Sequence, residues 1–77
     1  MDELIKKINE VQEKYGLNDN QLSLRLEMDP ATWSRIKRGI QAPGADFLGT
    51  LANHFAELQL DILQYLIKVR GQTDARN

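Results

Sequence analysis

Apolar residues return along this chain at helical intervals. Leu4, Ile5, Ile8, Val11 and Tyr15 fall within about 120° of one another on a helical wheel. Asp2 and Glu3 suit the positive amino end of that helix. Gly16 supplies the left-handed residue that ends it, and Leu17 packs back on it. The spacing predicts a first helix over residues 2–15. Asn18 caps a second, with Gln21 three residues later completing a capping box. Leu22 and Leu26 form its buried edge. The run Leu22-Ser23-Leu24-Arg25-Leu26 also alternates like a strand, but the cap and the want of a partner strand favour a helix, with Leu24 turned away. Asp29 caps a third helix. Pro30 sits in its first turn, where the missing N–H is harmless, and Gly39 stops it after Arg38. Small Ser23 lets these two tightly linked helices approach.

The second half follows the same grammar. Ile40 to Gly44 reads as a loop from its Pro and Gly. Phe47, Leu48, Leu51, Ala52 and Phe55 stripe a fourth helix over about 45–56, and a fifth covers about 59–70. That fifth helix is too apolar for one buried stripe. Leu60, Leu63 and Ile67 are assigned to the core. Ile62, Tyr65, Leu66 and Val69 form a second apolar face, expected to be a symmetric homodimer interface. Residues 1–70 thus form one domain and 71–77 a polar, flexible tail.

Composition narrows the chemistry. The chain has no cysteine, which removes disulfides and thiolate metal sites and fits a reducing compartment. No apolar run approaches the roughly 18 residues of a membrane span. Met1-Asp2-Glu3 is not a basic leader, so a cytoplasmic protein is expected. Net charge is −1, yet residues 30–45 hold Arg35, Lys37 and Arg38 and no acid. Positive charge is concentrated in one short segment that the net value conceals.

On a wheel for residues 30–38, Trp33 and Ile36 point one way. Ala31, Ser34, Arg35 and Arg38 cluster within about 100° on the other side. Two guanidinium groups, a hydroxyl and a methyl suit guanine edges, phosphates and thymine methyls. Trp33 is read as core rather than as a stacking platform, because it shares a face with Ile36.

The pattern Leu22-Ser23, Leu26, Met28, Thr32-Trp33-Ser34-Arg35-Ile36, Arg38-Gly39 and Pro43 resembles the helix-turn-helix of the phage repressor, Cro and related bacterial regulators. The likeness continues through Phe47-Leu48, Leu51-Ala52, Phe55 and Leu60 to Leu63, nearly the whole chain. It implies an all-α, compact, five-helix lambda-repressor-like domain whose helix-turn-helix spans about residues 19–38, with the third helix in the major groove. It implies sequence-specific binding of double-stranded DNA and transcriptional repression. Position by position, Pro30, Ala31 and Arg35 match base-contacting residues. Asn18 and Arg38 match residues that grip phosphate, and Ser34 and Gln41 join them. A two-fold dimer would set its recognition helices about 34 Å apart on an inverted-repeat operator.

Three positions depart from the family's pattern. Glu27 stands where Gly is frequent, and a left-handed Glu costs about 1 kcal/mol, so a differently shaped turn is expected. Lys37 replaces a usual Glu, with Gln12 at its partner position. Asp19 puts a carboxylate where phosphate is often bound, and it repels phosphate unless it turns aside. These departures, with the overall acidity and Pro30-Ala31, support a rival reading: a helical protein-interaction module, or an antitoxin-like partner, that keeps the fold without the DNA. No enzyme is expected. Ser34 has no base at hand, the acids of the first helix are scattered, and His54 stands without cysteines. Accordingly no cofactor, metal or small-molecule ligand is predicted.

Overall fold

The computed structural model describes the backbone of residues 2–74 and the side chains of residues 3–69. Five helices follow one another: α1 (Asp2–Tyr15), α2 (Asp19–Arg25), α3 (Pro30–Lys37), α4 (Ala45–His54) and α5 (Gln59–Asp74), with a 3-10 turn at Ala56–Leu58. Among the described residues there is no strand, and no helix is long and apolar enough to cross a membrane.

The first three helices end in the same way. At each end a residue with positive φ reverses the chain: Gly16 at 66°, Glu27 at 54° and Gly39 at 77°. The next N–H reaches back five residues to an orphan carbonyl, Leu17 to Gln12 at 2.8 Å, Met28 to Ser23 at 2.9 Å and Ile40 to Arg35 at 2.9 Å. A shorter bond from the reversing residue itself completes each Schellman motif, Gly16 to Glu13, Glu27 to Leu24 and Gly39 to Ile36. The turn at Glu27 therefore keeps the left-handed shape that a glycine would take, contrary to expectation, and the chain carries the strain. Helix starts match the caps. The Asn18 side chain accepts from the Gln21 N–H at 2.8 Å while Gln21 accepts from the Asn18 N–H at 2.9 Å. The Asp29 carboxylate accepts from the Ala31 N–H at 3.1 Å.

Leu4, Ile8, Val11, Leu22, Leu26, Trp33, Ile36, Phe47, Leu48, Leu51, Phe55, Leu58 and Ile62 build one core. Trp33 lies at its centre, wholly buried and stacked on Phe47 with ring centroids 5.8 Å apart. Ser23 is equally buried, and its hydroxyl donates to the Asp19 carbonyl at 2.9 Å, so the one small polar side chain in the core is satisfied. Leu24 points outward at 74% exposure. Pro43 is buried and pins the loop between α3 and α4.

The fifth helix corrects the sequence reading. Leu60, Leu63 and Ile67, expected in the core, are 63%, 52% and 62% exposed. Ile62, expected at a dimer surface, is buried, and Tyr65 packs half-buried against the same core. Leu66 and Val69 do keep exposed surface. The cause lies just upstream. The fourth helix stops at His54 rather than 56, and the 3-10 turn drives Leu58 into the core. With Leu58 inward, helical spacing carries Ile62 and Tyr65 inward too, and the stripe through Leu60 turns to solvent. The helix also continues to Asp74, through residues assigned to a flexible tail. Residues 75–77 of that tail lie outside the described residues.

Candidate nucleic-acid interface

The candidate surface is the outer face of α3 with the residues that flank it. Trp33 and Ile36 anchor the inner face. Opposite them Pro30, Ala31, Arg35 and Arg38 are exposed and Ser34 is half-buried. Pro30 occupies the first position of the helix, where its ring costs no hydrogen bond. Arg38 is the residue at which the helix ends, and its backbone N–H donates to the Ser34 carbonyl at 3.1 Å. Neither Arg35 nor Arg38 meets a carboxylate among the described residues, whereas Lys7, Lys14 and Lys37 each do. The local cationic footprint is therefore the two guanidinium groups.

Lys37 faces elsewhere because of Asp19. The Asp19 carboxylate accepts from the Gln12 amide at 3.0 Å, from the Trp33 indole N–H at 3.0 Å, and from the Lys37 ammonium at 3.2 Å on both oxygens. The bond from Gln12, then those from Trp33 and Lys37, hold its carboxyl below the ordinary value against the opposing pull of desolvation. Gln12 is itself almost fully buried. Asp19 thus joins α1, α2 and α3, and its carboxylate is paired with Lys37. Gln12 and Lys37, at the family's partner positions, meet through this one carboxylate, which serves both. A sequence signal for this exists: a buried indole N–H needs an acceptor, and Asp19 is an acid one turn before the buried Leu22-Ser23 pair.

Asn18 stands exposed at the start of α2. Its oxygen is committed to the cap, but its amide nitrogen makes no hydrogen bond among the described residues. It can cap the helix and still donate to an oxyanion. Gln41, the remaining expected phosphate contact, is half-buried and engaged: its side-chain oxygen accepts from Arg35 Nε at 2.9 Å. The structure thus brings Pro30, Ala31, Ser34, Arg35 and Arg38 onto one helix face, ties Gln41 to Arg35, and leaves Asn18 on the neighbouring helix.

Fold and surface together define a small all-helical domain with one acid-free, arginine-bearing helix face. The chain matches no family model, no curated protein and no solved structure.

Proposed function

We propose that this domain binds double-stranded DNA sequence-specifically and acts as a transcriptional repressor. In this reading α2 and α3 are a helix-turn-helix of the phage-repressor type, and α3 lies in the major groove. The observation that supports it best is the division of α3, with Trp33 and Ile36 locked in the core and Arg35 and Arg38 outside without carboxylate partners. Arg35 reads a base edge, with Ala31 and Pro30 lining the groove. Asn18, Ser34 and Arg38 hold the sugar-phosphate backbone. The net charge of −1 does not oppose this, because affinity for phosphate follows the charge at the contact rather than the total.

The reading includes a symmetric dimer through the outward stripe of α5. Leu60, Leu63 and Ile67 leave contiguous apolar surface in water. The operator is then an inverted repeat with half-sites about one helical turn apart.

Selection of bound fragments from a random-oligonucleotide pool tests all of this at once. The expected outcome is an enriched inverted repeat, with sedimentation of the free protein reporting a dimer. Enrichment of a single asymmetric site by a monomer removes the dimer and keeps the DNA. No enrichment removes the DNA and favours the helical interaction module, a reading supported by Asp29, whose exposed carboxylate caps α3 at the end nearest Pro30 and Ala31.

A further inference from the structure

We propose that Gln41 is a positioning residue that aims Arg35 at a guanine, rather than a phosphate contact. The inference rests on the DNA-binding reading above. Arg35 and Gln41 are tied reciprocally. The Gln41 N–H donates to the Arg35 carbonyl at 3.3 Å, beside the Ile40 N–H at 2.9 Å, and the Arg35 Nε–H donates back to Gln41 Oε1 at 2.9 Å. The left-handed Gly39 creates this closure by folding the chain back over the last turn of α3. Buried Pro43 fixes the loop two residues further on. Gln41 is thus held by backbone on one side and by its own half-buried side chain on the other.

The consequence follows from the shape of guanidinium. It is planar and carries five donors in a rigid fork. Engaging Nε–H on Gln41 occupies one donor of its side edge and fixes the plane. The Nη1 and Nη2 groups at its end remain free. Two parallel donors at the end of a fixed plane match guanine O6 and N7, the pair that no other base presents in the major groove. An exposed arginine without such a brace gives up rotamer freedom on binding and meets a phosphate as readily as a base edge. The brace lowers that cost for one orientation and so favours guanine at a single position of each half-site.

The test has one arm without DNA and one with it. In the free protein, exchange of the Arg35 Nε proton is followed by NMR for wild type, Gln41→Ala and Gln41→Glu. Gln41→Ala should speed exchange about five- to tenfold, the factor that one net hydrogen bond supplies, while Gln41→Glu retains protection. With DNA, the same proteins are titrated at fixed salt against the selected site, the same site with the Arg35-facing guanine replaced by adenine, and a random duplex. Gln41→Ala should reduce the guanine-over-adenine ratio about five- to tenfold and leave random-duplex affinity unchanged. Gln41→Glu should keep the ratio, although its added charge weakens every duplex. If Gln41→Ala weakens random duplex and leaves the ratio intact, Gln41 is a phosphate contact and the positioning role is wrong. Unchanged Nε exchange in Gln41→Ala also overturns it. Wild-type protein that binds no duplex overturns the DNA reading and the guanine role with it, whatever the exchange data say.

Discussion

The paired helices α2 and α3 and the terminal helix α5 present the same kind of sequence and very different degrees of definition. Both regions are amphipathic and both follow tight turns. In α2 and α3 each helix has one apolar face, a side-chain cap at its start and a left-handed residue at its end. Those local features fix where each helix begins and which side must be buried. The α5 helix has apolar residues on two opposite sides and a 3-10 turn in place of a side-chain cap. Its rotation is set from outside, by Leu58 entering the core one turn earlier. Periodicity tells which residues share a face; it does not tell which of two apolar faces goes inward.

The strongest way to break the first region is at its centre. Trp33→Ala removes a fully buried indole, its stack on Phe47 and its bond to Asp19. It should cost about 3–5 kcal/mol, as large aromatic truncations do, and leave a domain this small largely unfolded. Chemical denaturation followed by circular dichroism measures it. Native-like stability with lost DNA binding would make Trp33 a stacking surface instead.

The same measurement sharpens the contrast within α5. Ile62→Ala should cost about 2–4 kcal/mol, since it empties a buried position. Leu60→Ala, on the solvent face, should stay within about 0.5 kcal/mol when measured at a concentration where sedimentation reports a monomer. The opposite order would restore the core assignment of Leu60, Leu63 and Ile67.

Glu27 offers a smaller effect of opposite sign. It takes a backbone conformation that costs a side-chain-bearing residue about 1 kcal/mol, and no hydrogen bond holds its carboxylate among the described residues. Glu27→Gly should therefore stabilise by about 0.5–1 kcal/mol. A loss of stability would mean that the Glu27 side chain does more than tolerate its place.

The smallest effect expected is a dependence on pH through Asp19. Its folded carboxyl titrates below the ordinary value, so the bonds from Gln12, Trp33 and Lys37 stabilise the fold fully above the unfolded carboxyl range near about 4. That contribution falls away as pH drops through the lower, folded value. Asp19→Asn should be less stable than wild type at neutral pH, and the gap should close on acidification. A gap that is constant with pH would exclude the carboxylate charge as its source.

Much of the fold was legible in the residues. Helix starts at Asn18 and Asp29, helix ends at Gly16 and Gly39, the buried pair Trp33 and Ile36, and the outward Leu24 all follow from local chemistry and appear as expected. What was hidden depends on residues far apart in sequence. The left-handed Glu27 is the local exception, closing a Schellman turn that its residue type disfavours. The bonds from Asp19 to Gln12, Trp33 and Lys37 require three helices to converge. The facing of α5 depends on where α4 stops. For the candidate surface, helical spacing alone grouped Ala31, Ser34, Arg35 and Arg38, but the tie between Arg35 and Gln41 needed the chain reversal at Gly39.

In the proposed reading Arg35 and Arg38, which meet no carboxylate among the described residues, make the outer face of α3 a DNA-binding surface. It is tested most directly by titrating the selected duplex, and a random one, with wild type, Arg35→Ala and Arg38→Ala across a range of salt. Wild-type affinity should fall linearly on logarithmic axes, with a slope of magnitude about 2–4 for a dimer. Arg38→Ala should weaken all duplexes alike and lower that slope by about one unit per protomer, while Arg35→Ala should cost about 1–3 kcal/mol at the selected site and relax choice at one base position. Binding that is absent from wild type, or that neither substitution changes, would contradict the account.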